Sequence, residues 1–92
     1  MRLEEAKPRL SAIGVLSECV GRRIRVIVQD SFGYEGTLSA VSQSPPCLFL
    51  SDAEAIVIRT TIADPVPRIV SKERRSSIFV NLDSILRIEI PD

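Results

Sequence analysis

The spacing of apolar residues along the chain changes near Gly21. Before that point apolar side chains recur every three or four residues, as they do on one face of a helix: Leu10, Ile13, Leu16 and Val20. Pro8 suits the first helical position, and Gly21 suits the residue that ends a helix. The pattern therefore predicts a helix over residues 8 to 20.

From residue 22 onward the apolar period is two, which is typical of β-strands. The strand segments are 22–30, 34–41, 47–50, 77–82 and 84–90, together with 56–62, which is strongly β-branched. Prolines in 42–46 and 63–67 predict loops, and 68–76 is mixed, with strand character followed by an exposed charged stretch. Gly36, inside a strand, indicates a bulge, a sharp bend or a close backbone approach, and Asp83 indicates a bend.

The pattern as a whole predicts a mainly β protein with one N-terminal helix and about five strands. Five strands of this length can close into a small barrel. A flat sheet would instead expose long edges rich in Val and Ile. With 92 residues the chain is long enough for one domain. We expect a single domain over residues 1–92, with the barrel over about 22–90.

Twelve basic and twelve acidic residues give the chain a formal net charge of zero. Proteins that bind nucleic acids usually carry an excess of positive charge. The zero net charge of this chain therefore makes nucleic-acid binding less expected, although it does not exclude a local basic patch. Ten of the twelve basic residues are Arg, which suits bidentate and stacked contacts. The candidate phosphate contacts are Arg22, Arg23, Arg25, Arg74 and Arg75.

Enzyme chemistry has little support in the sequence. The chain has no histidine, and its four glycines match neither phosphate-binding loop pattern. Two cysteines, Cys19 and Cys47, make neither a disulfide framework nor a zinc site. We therefore expect no enzyme activity, no metal and no cofactor.

The aromatic residues are few: Phe32, Tyr34, Phe49 and Phe79. Phe49 and Phe79 lie inside strand patterns, so we expect them in the core, whereas Phe32 lies in a turn and is the one expected to be exposed. The N-terminal residues lack an apolar leader, and no apolar run approaches the ~20 residues of a membrane span. These features predict a soluble cytoplasmic protein, and the preference for Arg over Lys is compatible with an archaeal source.

Several short motifs follow one another in a recognisable order. They are Gly21, the strand IRVIVQ, Asp30, Tyr34-Glu35-Gly36, Leu38 and the strand LFLSDAE at 48–54, and then SIFVNLDSILRIEI at 77–90. In this order and spacing the chain, from about residue 8 to residue 90, resembles the Sm-like (LSm) family.

The resemblance implies a helix on a strongly bent five-stranded antiparallel barrel. It also implies a ring of six or seven subunits that binds RNA, often uridine-rich, around the pore. In the family the fourth strand of one subunit pairs with the fifth strand of the next. The corresponding interface residues here are Ile78, Val80, Ile85, Ile88 and Ile90.

This sequence departs from the family at the RNA-reading residues. The family carries Asp-x-His-x-Asn, or a similar run, in the loop between the second and third strands. Counting forward from Gly36 gives Ser42 and Ser44 at the Asp and His positions; counting back from Ser51-Asp52-Ala53 gives Pro45 at His and Cys47 at Asn. Where the family has Arg-Gly-Asp, the chain has Asn81-Leu82-Asp83. A thiol is a weak hydrogen-bond donor, so we expect a degenerate uridine pocket.

Three functions stay open at this point. The first is a divergent Sm-like ring that binds RNA weakly, or through arginines outside the usual pocket. The second is an Sm-like subunit that holds other proteins without reading RNA. The third is a different small barrel, such as an OB-fold. The single N-terminal helix and the strand that ends in Asp52-Ala53 argue against this third hypothesis.

Overall fold

The computed structural model describes residues 13–63 and 65–91. A helix, α1, covers residues 13–18. The strands are β1 (Arg23–Gln29), β2 (Phe32–Gln43), β3 (Pro46–Arg59), β4 (Arg68–Asn81) and β5 (Arg87–Glu89). A 3-10 turn, Leu82–Ser84, joins β4 to β5. None of the helices in these ranges is long and apolar enough to cross a membrane.

The five strands form one antiparallel sheet in the order β4-β3-β2-β1-β5. This order confirms the predicted helix followed by five antiparallel strands. It also leaves β4 and β5 at the two edges of the sheet within the described part of the chain. An unpaired edge of this kind can pair with a strand of another chain.

The strand boundaries differ from those predicted. Residues 51–55 do not separate two strands, because β3 runs without a break from Pro46 to Arg59. The predicted charged stretch after residue 68 is also strand, since β4 is 14 residues long and pairs with β3 throughout. The break in alternation is absorbed by bulges near Asp52 and Ser76, whose φ angles are 49° and 63°. β5 is shorter than residues 84–90, because part of that segment forms the 3-10 turn.

The main core cluster draws side chains from every strand and from the residues around α1. Its buried members are Cys19, Ile24, Val26, Leu38, Leu48, Leu50, Ala53 and Val80. Leu16 of α1 and Ile88 of β5 pack against this cluster and are partly buried. A second, smaller cluster joins Ile27, Ile56 and Ile58. The sheet therefore curves around one principal core, in agreement with the predicted bent arrangement.

Two glycines behave as the sequence indicates. Gly21 follows the end of α1 with a φ of +97°, a left-handed conformation that favours glycine. Gly36 lies where the β2–β3 register shifts, and a Cβ there would be 3.1 Å from the Ser51 carbonyl oxygen. The close backbone approach explains the glycine inside the strand. The predicted helix residues 8–12 lie outside the described part of the chain.

Candidate nucleic-acid interface

The turn between β2 and β3 is much shorter than the predicted loop. β2 continues to Gln43 and β3 begins at Pro46, so only Ser44 and Pro45 lie between the strands. Pro46 can occupy a strand because it is the first residue of β3. Residues 42–46, expected to form a loop, instead belong to a tight hairpin end.

Three of the family-equivalent positions become neighbours across the sheet at this hairpin end. Ser42 of β2 pairs with Cys47 of β3, and Cys47 pairs in turn with Asn81 of β4. Ser44 and Pro45 lie in the adjoining turn, and Asp83 follows Asn81 in the 3-10 turn. The fold therefore brings all six predicted positions to one end of the sheet.

The side-chain amide of Asn81 uses its oxygen, but not its nitrogen, in hydrogen bonds with described residues. Its Oδ1 accepts a hydrogen bond from the backbone N–H of Asp83 at 2.9 Å and so caps the 3-10 turn. The Nδ2 donors and the Ser42 hydroxyl make no hydrogen bond with any described residue. Cys47 is a free, half-buried thiol. The row Ser42–Cys47–Asn81 therefore offers an amide donor, a hydroxyl and a thiol, but no positive charge.

A second row, next to the first, contains aromatic rings. Ala40 of β2 pairs with Phe49 of β3, and Phe49 pairs with Phe79 of β4. The ring centroids of Phe49 and Phe79 are 4.7 Å apart, and their planes are tilted by 38°. Phe79 is 75% exposed and Phe49 is half-buried.

The expectation that Phe49 and Phe79 lie in the core is wrong. Ile78 and Val80 of β4 pack in or against the core, so Phe79 between them points to the other side of the sheet. The alternation of β4 indicated that Phe79 faces away from the core, whereas its apolar type alone indicated the opposite. Phe32, expected to be exposed, is half-buried against Tyr34, with ring centroids 5.3 Å apart. We call the two rows together the aromatic face: Ala40, Ser42, Cys47, Phe49, Phe79 and Asn81.

The arginines of β1 do not point freely to solvent. Arg25 reaches the Glu35 carboxylate at 3.2 Å and the Glu89 carboxylate at 3.3 Å. Lys72 of β4 lies 3.4 Å from Glu35 and 3.8 Å from Glu54. We call these groups, which link all five strands, the charged network: Arg23, Arg25, Glu35, Glu54, Lys72 and Glu89.

Two further candidate phosphate contacts are held by backbone carbonyl groups. Arg23 donates to the Asp52 carbonyl oxygen at 2.9 Å and lies 3.7 Å from the Glu54 carboxylate. Arg22, just before β1, donates to the Pro91 carbonyl oxygen at 2.8 Å. These guanidinium groups therefore stabilise the fold of the chain itself.

The remaining two candidate phosphate contacts, Arg74 and Arg75, lie on β4 far from the aromatic face. Arg75 pairs with Glu73 at 2.8 Å, whereas the exposed Arg74 side chain makes no ion pair with a described residue. Arg74 is seven residues from Asn81 on the same strand, a separation of about 23 Å. The structure does not bring these arginines to the aromatic face.

Glu35 is the centre of the charged network. Burial of its carboxylate would by itself raise its pKa, but the hydrogen bond from Arg25 and the nearby Lys72 ammonium outweigh burial. The pKa of Glu35 is therefore held below its ordinary value. The contacts with Arg25 and Lys72 thus hold the carboxylate as an anion within the protomer.

The predicted interface residues lie between the core and the two edges. Val80 is only 5% exposed and belongs to the core of the protomer, while the four isoleucines are half-buried against it: Ile78, Ile85, Ile88 and Ile90. Beside β5 and α1 lies an open apolar groove of about 450 Å³, lined by Val15, Leu16, Leu82, Ile85, Arg87, Ile88 and Ile90.

Solved structures with the same architecture identify the fold. A Pyrococcus abyssii Sm protein, solved in complex with a uridine heptamer, superposes with a TM-score of 0.61 at 22% identity, covering 86% of this chain and 96% of that chain. A P. aerophilum Sm heptamer gives a TM-score of 0.61 at 24% identity, covering 86% of this chain and 90% of that chain. The chain has the Sm-like fold.

A chain of the NatC complex bound to CoA is also similar, with a TM-score of 0.61 at 22% identity and 84% coverage of both chains. No protein-family model matches this sequence, and no curated protein sequence matches it. The same fold thus occurs in Sm proteins solved as a heptamer or with a uridine heptamer, and in a chain of a different protein complex.

Proposed function

We propose that this protein is a non-enzymatic Sm-like subunit that assembles into a homo-oligomeric ring and binds single-stranded RNA weakly, through a degenerate nucleotide site. The observation that carries the proposal is the row Ser42–Cys47–Asn81, which the register of three strands assembles from positions far apart in sequence. These are the positions at which the Sm-like resemblance locates RNA recognition.

The two open edges of the sheet support ring assembly. β4 is a long edge strand with an exposed apolar side chain, Val70, at 52%. At the other edge, Leu86 is 60% exposed beside the apolar groove. Edges of this kind favour pairing with another chain. Pairing of β4 with β5 of the next subunit, as the resemblance implies, would cover both edges and bury the half-exposed isoleucines further.

The chemistry of the row predicts weak recognition of uridine. The thiol of Cys47 is a poor substitute for an amide that hydrogen-bonds a base edge. Asn81 retains the donors of its amide but lacks the plane and the charge of a guanidinium. Loss of a base-covering contact costs about 1–3 kcal/mol per base. We therefore expect affinity well below that of a ring with a complete pocket.

The test combines the mass of the assembly with its binding of labelled oligonucleotides. Light scattering gives the number of subunits, and fluorescence anisotropy with oligo(U) and oligo(A) gives affinity at two salt concentrations. We expect a ring of six or seven subunits that binds both oligonucleotides weakly. A stable monomer would contradict the assembly, and a ring with no affinity for either oligonucleotide, even at low salt, would contradict the RNA function.

The engagement of the arginines favours a second candidate, an Sm-like scaffolding subunit of a protein complex that does not read RNA. Arg22, Arg23 and Arg25 bind groups of their own protomer, and the net charge of the chain is zero. The similarity to a chain of the NatC complex is consistent with such a role. Affinity purification from the source cells separates the two, because a scaffold is recovered with a defined protein partner and an RNA-binding ring is recovered with nuclease-sensitive RNA.

A further inference from the structure

The aromatic face exposes a flat apolar ring in a setting with no charge. Phe79 is 75% exposed, although its neighbours Ile78 and Val80 are half-buried and buried. Its ring lies beside that of Phe49, with 4.7 Å between centroids. Most of the apolar surface of Phe79 thus remains in contact with water in the protomer, which is unfavourable unless something covers it.

Polar groups border the two rings on the same side of the sheet. Asn81 lies two residues beyond Phe79 on β4, about 7 Å along the strand. Its Nδ2 donors are free of described partners, since only Oδ1 is used, in the bond from the Asp83 N–H. The Ser42 hydroxyl lies in the same row, two strands away. A flat ligand lying on Phe79 would therefore meet donors at its edge.

The chemistry of this surface matches a nucleobase. A base has a flat π face that stacks on an aromatic ring and a polar edge that accepts hydrogen bonds from an amide. The six residues of the aromatic face include no ionised side chain, so the face carries no formal charge that would favour a phosphate over a base.

We propose that Phe79, supported by Phe49, is a stacking surface for the bases of single-stranded RNA, one row away from the family-equivalent nucleotide positions, with the Asn81 amide reading the base edge. This inference rests on the proposed RNA-binding function and assigns it a second contact surface. The contact is base-dependent and nearly independent of salt, because stacking releases no counterions.

The test uses the full-length protein and three substitutions of one residue. Phe79→Ala removes the ring, Phe79→Leu keeps apolar volume without a flat face, and Phe79→Trp keeps a flat face and adds a fluorescent indole. We expect Phe79→Ala and Phe79→Leu to bind oligo(U) and oligo(A) about tenfold more weakly, or worse, than wild type. Phe79→Trp binds at least as well as wild type, and the oligonucleotide quenches its emission.

Two controls separate stacking from other effects. An abasic oligonucleotide of equal length and charge should bind wild type and Phe79→Ala with the same low affinity. The part of the wild-type affinity lost in Phe79→Ala should change less than about threefold between about 50 and about 200 mM salt, whereas six to ten phosphate contacts would change affinity about 10³- to 10⁵-fold. Circular dichroism and light scattering confirm that each variant is folded and has the wild-type number of subunits.

Several results would overturn the inference. If Phe79→Leu binds like wild type, the contact is apolar packing and not stacking. If Phe79→Ala lowers the number of subunits, Phe79 is a contact between copies of the chain. If wild type binds oligonucleotides and Phe79→Ala binds them equally well, only the stacking surface is wrong; if wild type binds none, the proposed RNA function is wrong as well.

Discussion

The charged network and the aromatic face are built on the same curved sheet, yet their side chains are in opposite states. In the charged network each cation has a carboxylate partner: Arg25 contacts Glu35 and Glu89, and Lys72 contacts Glu35 and Glu54. On the aromatic face the Ser42 hydroxyl and the Asn81 amide donors have no described partner, and Phe79 is 75% exposed. In the charged network the charges are paired, although the buried Arg25 Nε has no hydrogen-bond partner among the described residues. The aromatic face instead leaves donors and an aromatic ring unpaired.

This difference shows why an abundance of arginine is a poor guide to nucleic-acid binding here. An arginine contributes to phosphate binding only if its charge is not already neutralised at short range. The β1 arginines are neutralised by glutamates of β2, β3 and β5. In this chain of zero net charge, these arginines therefore connect strands of the same protomer. In the proposed function the bases are therefore recognised at the uncharged hairpin end.

The largest effect is expected from rebuilding the family pocket on the aromatic face. The double variant Cys47→Asn, Asn81→Arg restores an amide for the base edge and a guanidinium plane to cover the base. We expect the affinity for oligo(U) to rise about 10- to 100-fold in anisotropy titrations, since each base contact contributes about 1–3 kcal/mol.

A matched variant separates shape from charge in this experiment. Cys47→Asn, Asn81→Lys adds the same charge without the plane of the guanidinium, so it should gain less affinity and show a steeper salt dependence. If neither double variant binds oligo(U) more tightly than wild type, the row Ser42–Cys47–Asn81 is not a nucleotide site.

The next effect concerns the charged network and is measured as stability. Glu35→Gln removes the anion that both Arg25 and Lys72 contact, at a side chain that is only 17% exposed. We expect the free energy of unfolding in urea to fall by about 1–2 kcal/mol, because hydrogen bonds to charged groups contribute more than neutral ones.

Glu73→Gln is the control variant for this measurement. The Glu73 side chain is 70% exposed and pairs only with Arg75 among the described residues, so its loss should cost at most about 0.5 kcal/mol. Equal effects for the two variants would show that the charged network is no more than a set of surface pairs.

A smaller effect is expected from pH. The pKa of Glu35 is lower in the folded protein than its ordinary value, so the unfolded chain binds a proton at a higher pH than the folded one does. The stabilising contribution of Glu35 is therefore complete above the ordinary carboxyl pKa and is lost as pH falls through the lower folded value. Urea denaturation in steps from about pH 6 to about pH 3 should show wild type losing stability more steeply than Glu35→Gln. Parallel curves would mean that Glu35 has the same pKa in both states.

The fold could be predicted from the sequence because the apolar alternation and the order of the motifs are visible in one sequence without relatives. It was not sufficient for strand boundaries: β3 crosses residues 51–55 because a bulge at Asp52 restores pairing, and bulges depend on the partner strand. The six family-equivalent positions could be named by counting from motifs, but their adjacency depends on the register of β2, β3 and β4.

One feature of the site required the three-dimensional structure, and another was missed although the sequence contained its signal. The partners of Arg25 could not be predicted, since Glu35 and Glu89 reach it only through the pairing of β1 with β2 and β5. The exposure of Phe79 could have been predicted, because it lies between two inward-facing residues of a strand. Its apolar type led to the opposite expectation.

The smallest effect is expected at Arg74, an exposed arginine that makes no ion pair with a described residue. It lies about 23 Å along β4 from Asn81, well beyond the screening length of about 8 Å at physiological salt. We therefore expect Arg74→Ala to change the affinity for oligo(U) less than twofold or so at about 0.15 M salt. A loss of about fivefold or more would mean that the RNA also runs over the β3–β4 ribbon, where the phosphate backbone would be held by charge while the aromatic face holds the bases.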